Sequence, residues 1–315
     1  MTDTTAYEQD VSAYERILVP TDGSAPSDRA ARHATALAAA FDATLHVLHV
    51  VDARRYSSGI ADLDDVAREQ EDRLEAAGER TVATVAERAD DAGVATVSDV
   101  VAGVPSAAIL DYVDDYDVDL IAMGTHGRTG LDRILVGSVT ERVLRQADVP
   151  VLSLRATGTD DGTGTPTEYD DVLVATDGRE GVGPAVAHAL TVAERFEATV
   201  HALFVVDVRN VLVDDDVFPD ANANALAALG DLGERATDAV AAAGAERGVD
   251  VTTTVQQGVP SSTIREVAGE RGADLIAMGT HGRSGLGRYL VGSVTETVLR
   301  HTDVPVLSAR RTDAK

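Results

Sequence analysis

The stretch Asp119-Leu-Ile-Ala-Met-Gly124-Thr-His-Gly127-Arg-Thr-Gly-Leu-Asp-Arg-Ile-Leu-Val-Gly137-Ser138-Val-Thr-Glu141 carries the reading of the whole chain. Its apolar run, Leu120 to Met123, is the pattern of a buried strand. Gly124 and Gly127 follow at once, and Gly137-Ser138 opens a helical pattern. A strand that runs into glycines and then a helix start is the layout of a phosphate cradle. Glycines let backbone N–H groups approach an anion, and the free N–H groups of a helix N-terminus receive it. The stretch recurs almost unchanged from Asp274 to Glu296, 155 residues further on.

The rest of the sequence keeps the same offset. Ile17 to Asp22 matches Val172 to Asp177, Gly103 to Ser106 matches Gly258 to Ser261, and Val149 to Ser153 matches Val304 to Ser308. A period this long marks a duplicated domain rather than a solenoid unit. The 315 residues accordingly divide into a tail over 1–14, a domain over 15–155, a linker over 156–168 and a second domain over 169–311. In the first copy, strands are expected at Arg16–Pro20, Thr44–Val51, Thr96–Ala102, Leu120–Met123 and Val149–Leu154. Helices are expected at Ala25–Phe41, Leu63–Ala92, from Gly103-Val-Pro105-Ser106 onward, and at Ser138–Ala147. Alternation of this kind argues for an α/β fold with a doubly wound parallel sheet in each copy.

Composition removes several classes of function. The net charge of −26 repels nucleic acids and anionic membranes, and no apolar run approaches a span of about 20 residues. With no cysteine there are no disulfides, thiolate nucleophiles or cysteine metal sites. The histidines lack zinc-ligand spacing. No basic or apolar targeting segment opens the chain, so a cytoplasmic location is the default expectation. Lys315 is the only lysine, which rules out a P-loop, and no Gly-x-Gly-x-x-Gly follows a strand. An acidic, lysine-poor chain with few aromatics but regular apolar patterning looks adapted to a high-salt cytoplasm, where charge repulsion is screened.

What remains is Gly-x-x-Gly, nine residues, then Gly-Ser, between an Asp-Leu-Ile-x-Met strand and a Val-Pro-Val-Leu strand, present twice. On these residues the chain resembles the universal stress protein family, in its ATP-binding branch and tandem form. The resemblance implies two five-stranded parallel sheets of order 3-2-1-4-5, with ligand beyond the strand C-termini where the chain direction reverses. It implies that Asp22 meets the ribose or adenine side and that Pro20, Thr21 and Val50 flank the base. Gly124, Thr125, His126, Gly127, Arg128, Gly137, Ser138 and Val139 would hold the phosphates. The second copy offers Ala175, Thr176, Asp177 and Val205, then Gly279, Thr280, His281, Gly282 and Arg283, and finally Gly292, Ser293 and Val294. It departs at Ala175, where the first copy has Pro20, and at Arg179, where the first has Ser24.

The implied ligand is ATP, or AMP or ADP, with magnesium arriving on the nucleotide because it needs few protein carboxylates. The implied role is a stress-linked regulator or sensor whose nucleotide occupancy changes its shape or its protein partner. The alternative is a slow ATPase or adenylyl-transfer enzyme on the same scaffold, against which stands the lack of an identifiable base, nucleophile or lysine. The implied assembly is an internal pseudo-dimer with Val149–Leu154 near Val304–Ala309, and a homodimer of the whole chain is a further arrangement. The bland readings are local. Ser138 with Glu141, and Ser293 with Glu296, have capping-box spacing; Asp22 and Asp177 suit turns; His33 and His188 suit packing.

Overall fold

The computed structural model describes residues 13–52, 64–125, 136–155, 168–179, 182–210, 219–280 and 291–310. The chain forms two compact units, one over Ala13–Thr167 and one from Glu168 onward. The first runs β1 (Arg16–Pro20), α1 (Ala25–Phe41), β2 (Thr44–Asp52), α2 (Asp64–Asp91) and β3 (Thr96–Gly103). It continues through α3 (Pro105–Asp115), β4 (Leu120–Gly124), α4 (Ser138–Gln146) and β5 (Val151–Leu154). The second repeats the plan with β6 (Asp171–Thr176), α5 (Gly183–Phe196), β7 (Thr199–Asp207), α6 (Pro219–Glu246) and β8 (Val251–Gly258). After these come α7 (Pro260–Arg271), β9 (Leu275–Gly279), α8 (Ser293–His301) and β10 (Val306–Ala309).

Every strand pair within a unit is parallel. β1 lies between β2 and β4, with Ile17 opposite Leu45 on one side and Leu120 on the other. β3 pairs with β2, and β5 with β4. In the second unit β6 lies between β7 and β9, with Val172 opposite Val200 and Leu275, while β8 pairs with β7 and β10 with β9. Strands covered by helices on both faces must be apolar throughout, and Ile17, Leu18, Val19, Leu120, Ile121 and Ala122 are all buried. β5 begins at Val151, two residues later than its sequence pattern suggests. Pro150 has no N–H to contribute, and its carbonyl instead accepts from Ile121 N–H at 3.1 Å.

One side chain sets the alignment of the two central strands. Asp119, the first residue of the quoted stretch, accepts from the N–H groups of Glu15 and Arg16 at 2.8 Å each. Asp274 does the same for Asp170 and Asp171 at 2.9 and 3.1 Å. Charge-assisted bonds to two consecutive N–H groups fix where β1 and β6 start relative to β4 and β9, and therefore where they end. The ends are where the site lies.

The helices show the same economy. α1 is capped by Ser24, whose Oγ accepts from Ser27 N–H at 3.4 Å, and Pro26 stands in the first turn, where a missing N–H costs nothing. It ends on Asp42 in the left-handed region at φ 57°, and α5 ends likewise on Glu197 at φ 56°. The long helices α2 and α6 pack close to the sheet through glycine. A Cβ on Gly78 would come within 2.5 Å of the His49 ring, and one on Gly233 within 2.7 Å of the Phe204 ring.

Candidate functional site

The loop after β1 is built by its own side chains. Thr21 N–H donates to Leu48 O at 2.8 Å, and Thr21 Oγ1 accepts from Gly23 N–H at 3.2 Å. Asp22 Oδ1 accepts from Ser24 N–H at 3.0 Å, a turn that orients the carboxylate. Gly23 takes φ 71°, which glycine adopts without strain. The second unit reproduces the turn: Gly178 N–H on Thr176 Oγ1 at 3.1 Å, Arg179 N–H on Asp177 Oδ1 at 3.2 Å, and Gly178 at φ 74°.

On the neighbouring strand, Gly124 ends β4 hard against the start of α1. A Cβ there would meet the Pro26 carbonyl carbon at 2.7 Å and Ser27 N at 2.8 Å, both backbone atoms. The glycine that looked like a phosphate contact is thus also the residue that lets helix and strand converge on the site. Thr125 N–H donates to Leu154 O at 2.7 Å, and Gly137 N–H donates back to Thr125 O at 2.5 Å, so the loop leaves and returns at one point. Thr280 and Gly292 make the matching pair at 3.1 Å to Ala309 O and 2.6 Å to Thr280 O. The buried Thr140 Oγ1 donates to Gly124 O at 2.8 Å, and Thr295 to Gly279 O at 2.7 Å. These threonines tie the first turn of the helix to the strand end. The sequence reading overlooked them, although a threonine two residues after Gly-Ser in both copies was the available signal.

The capping-box reading is corrected by the geometry. Gly137, not Ser138, is the N-cap, with φ −60° and ψ 144°, and no side chain caps the helix. Ser138 is already the first helical residue, and the Glu141 carboxylate pairs forward with Arg145 instead of backward with the helix start. Gly292, Ser293, Glu296 and Arg300 repeat the arrangement. A serine one position too late cannot accept from the first-turn N–H groups. Among the described residues no side chain caps those donors, which stand at the positive end of the helix dipole.

In the second unit the pieces surround a cavity of about 390 Å³. Ala175, Thr176 and Asp177 line it from the end of β6 and Val205 from β7. Gly279 and the α8 start, Gly292, Ser293 and Val294, close another side. Thr280 stands just behind, buried. Arg179, Phe204, Asp207, Arg209, Leu232 and Ile264 also line it and were missed as site residues. The Arg209 guanidinium grips both Asp207 carboxylate oxygens at 2.9 Å each. In the first unit Pro20 ends β1 opposite Leu48, Val50 lies on β2 opposite Val101, and Thr21 and Thr125 are buried beside them. Ser138 is exposed, and Gly137 and Val139 are half-buried. His49, equivalent to Phe204, sets its Nδ1 against Thr21 O at 2.7 Å; since the carbonyl only accepts, that nitrogen carries the proton. His126, Gly127, Arg128, His281, Gly282 and Arg283 lie outside the described residues.

His33 and His188 are buried on α1 and α5. Burial, with the nearby Arg29 and Arg32 charges, lowers the His33 pKa to about 3, and burial lowers that of His188 to about 4. Both are packed, neutral groups.

Parallel strands flanked by helices, with a carboxylate after the first strand and a glycine-capped helix start beside the fourth, define a doubly wound α/β domain, here built twice. The universal stress protein family model matches residues 13–155 and again 168–310, and the chain belongs to that family. A universal stress protein of Methanocaldococcus jannaschii is 37% identical over 147 residues, covering 45% of this chain and 82% of that protein. One from Mycobacterium tuberculosis is 29% identical over 303 residues, covering 94% and 97%. The crystal structure of a universal stress protein from Archaeoglobus fulgidus superposes with a TM-score of 0.67 at 25% identity, over 94% of this chain and 98% of that one. Tandem organisation is therefore shared along the whole length with relatives of both kinds.

Proposed function

We propose that each half binds an adenine nucleotide, ATP or its di- or monophosphate, and that occupancy acts as a signal in a stress-linked regulator. The observation that carries this is the start of α4 and of α8: a glycine N-cap, no side-chain cap, and a serine displaced into the first turn. Oriented N–H groups of this kind suit a phosphate. With strand order 3-2-1-4-5 the loops after strands 1 and 4 flank the switch point, and in the second half the cavity of about 390 Å³ runs from the α8 start to the apolar wall of Phe204 and Ile264. Phosphates sit on the helix, sugar over Asp177, base against that wall. Asp22 and the α4 start offer the same pair in the first half. Magnesium enters on the phosphates, and the acidic surface keeps the chain dispersed in concentrated salt, where its charge is screened.

The test is chemical. Protein purified and then denatured should release ATP, ADP or AMP to mass spectrometry, and calorimetry in molar KCl with Mg²⁺ should count two sites. Ser138→Asp and Ser293→Asp place a carboxylate where the phosphate would sit, at a helix position that favours it structurally. Each should remove one site, weakening it by at least about 100-fold, roughly 3 kcal/mol, without lowering the melting temperature. Protein free of nucleotide, with no heat on titration, would sink the reading.

A further inference from the structure

We infer that Arg179 makes the second site selective for an adenine nucleotide whose ribose itself carries a phosphate; this rests on the nucleotide reading above. The observation is a substitution between equivalent turns. Ser24 in the first half caps α1 through its Oγ. Arg179 occupies the same place in the second turn, where α5 instead takes Val182, three residues further on, as its N-cap. The turn itself is unchanged, since the N–H at this position reaches the aspartate Oδ1 in both halves, at 3.0 and 3.2 Å. The exchange of serine for arginine therefore leaves the turn's backbone as it was and sets a guanidinium beside the Asp177 carboxylate.

Its position says which function. The guanidinium lines the cavity, with Nε 3.8 Å from Asp177 Oδ2. Phosphate donors lie at the end of β9 and the base wall at the end of β7, with β6 between them. Two strand spacings are roughly 10 Å, so the sugar of a ligand spanning them passes over β6, where Asp177 and Arg179 stand. A carboxylate alone accepts from ribose hydroxyls. An arginine near the sugar accommodates a ribose phosphate instead, the contrast that separates the two nicotinamide dinucleotides in doubly wound folds. The guanidinium fork offers such a phosphate two parallel donors. The first half, with Ser24 at this position, has no counterpart cation there.

The experiment uses the full chain carrying Ser138→Asp, so that only the second site is read, titrated with AMP, adenosine 2′,5′-bisphosphate and adenosine 3′,5′-bisphosphate. One bisphosphate should bind at least about tenfold tighter than AMP, and which one does so tells whether the 2′ or the 3′ oxygen carries the group. Adding Arg179→Ser should abolish that ratio, and Arg179→Lys should keep part of it. In the converse chain, with Ser293→Asp silencing the second site, Ser24→Arg should create the preference in the first. AMP binding with equal affinity for all three ligands, or a ratio that survives Arg179→Ser, overturns the inference and leaves the nucleotide reading standing. If AMP and both bisphosphates all fail to bind, the nucleotide reading falls as well.

Discussion

The two halves agree at one end of their binding site and differ at the other. The strand-aligning aspartates, the Thr-Asp-Gly turns, the glycine N-caps and the threonine ties are the same in both. What differs is the wall and the helix contact behind it. Phe204, Leu226 and Leu232 of the second half stand where the first has His49, Glu71 and Ala77. Between α1 and α2, Asp28 pairs with the buried Arg32 and with Arg88 at 2.7 Å. The second half has Gly183, Ala187 and Ala243 at those positions, and ties α5 to the chain just beyond α6 with Arg247 on Glu194 at 2.6 Å. Duplication has held the helix starts and the Thr-Asp-Gly turns fixed and let the wall at the proposed base end diverge. The proposed common signal therefore belongs to the first end, and any difference in ligand to the second.

The largest test of this likeness is Gly124→Ala. Its Cβ meets backbone, which cannot swing away, so the first half should lose about 3 kcal/mol, read as a lower denaturant midpoint for that half. Gly279→Ala should cost the same if α5 approaches β9 as closely as α1 approaches β4; a much smaller loss breaks the comparison there. Next comes the charged contact. Asp28→Asn leaves a buried guanidinium poorly balanced and should cost about 2 kcal/mol. Giving the first half the second's residues together, Asp28→Gly, Arg32→Ala and Arg88→Ala, should be closer to neutral and should flatten the salt dependence of unfolding. A triple variant worse than the single one would show that the ion cluster is needed as built.

The pH sets a further effect that both halves should share. His33 and His188 stay neutral when folded but protonate near pH 6.5 when unfolded, so the unfolded chain binds more protons below that pH. Their contribution is present in full above pH 6.5 and is lost as the pH falls, at about 1.4 kcal/mol per unit for each group. Between pH 6.5 and about pH 4 the two halves should therefore lose stability in parallel. Hydrogen exchange resolved by half at pH 7, 5.5 and 4.5 measures the slopes, and His33→Gln should flatten the first alone.

Much of the fold was readable because its signals are local. The apolar run Leu120–Met123 can only be a covered strand, and Gly93 and Gly272 stop helices where a left-handed residue is needed. The duplication then doubled every observation. What could not be read depended on geometry across the chain. The serine of Gly137-Ser138 had the spacing of a cap, but the cap position falls one residue earlier, and only the backbone angles show it. Thr140 gains its purpose from a carbonyl sixteen residues away. Phe204 and Leu232 carry no local signal that sets them apart from core residues, and the cavity they border exists only once α6 lies across β7. Arg179 was noticed as a departure from the pattern; its partner Asp177 and its place over the middle strand required the sheet.

The ends of the two first helices carry a consequence for how the chain's stability depends on salt. Asp42 and Glu197 hold a left-handed conformation that glycine adopts freely, and each adds negative charge to the negative pole of its helix. Asp42→Gly and Glu197→Gly should each raise stability in dilute buffer by about 0.5–1 kcal/mol, seen as a higher melting temperature. An acid at this corner in both copies is what the proposed adaptation to concentrated salt would tolerate. Adding salt should shrink the advantage of the glycine variants, because ions would quiet the same repulsion that the mutations remove.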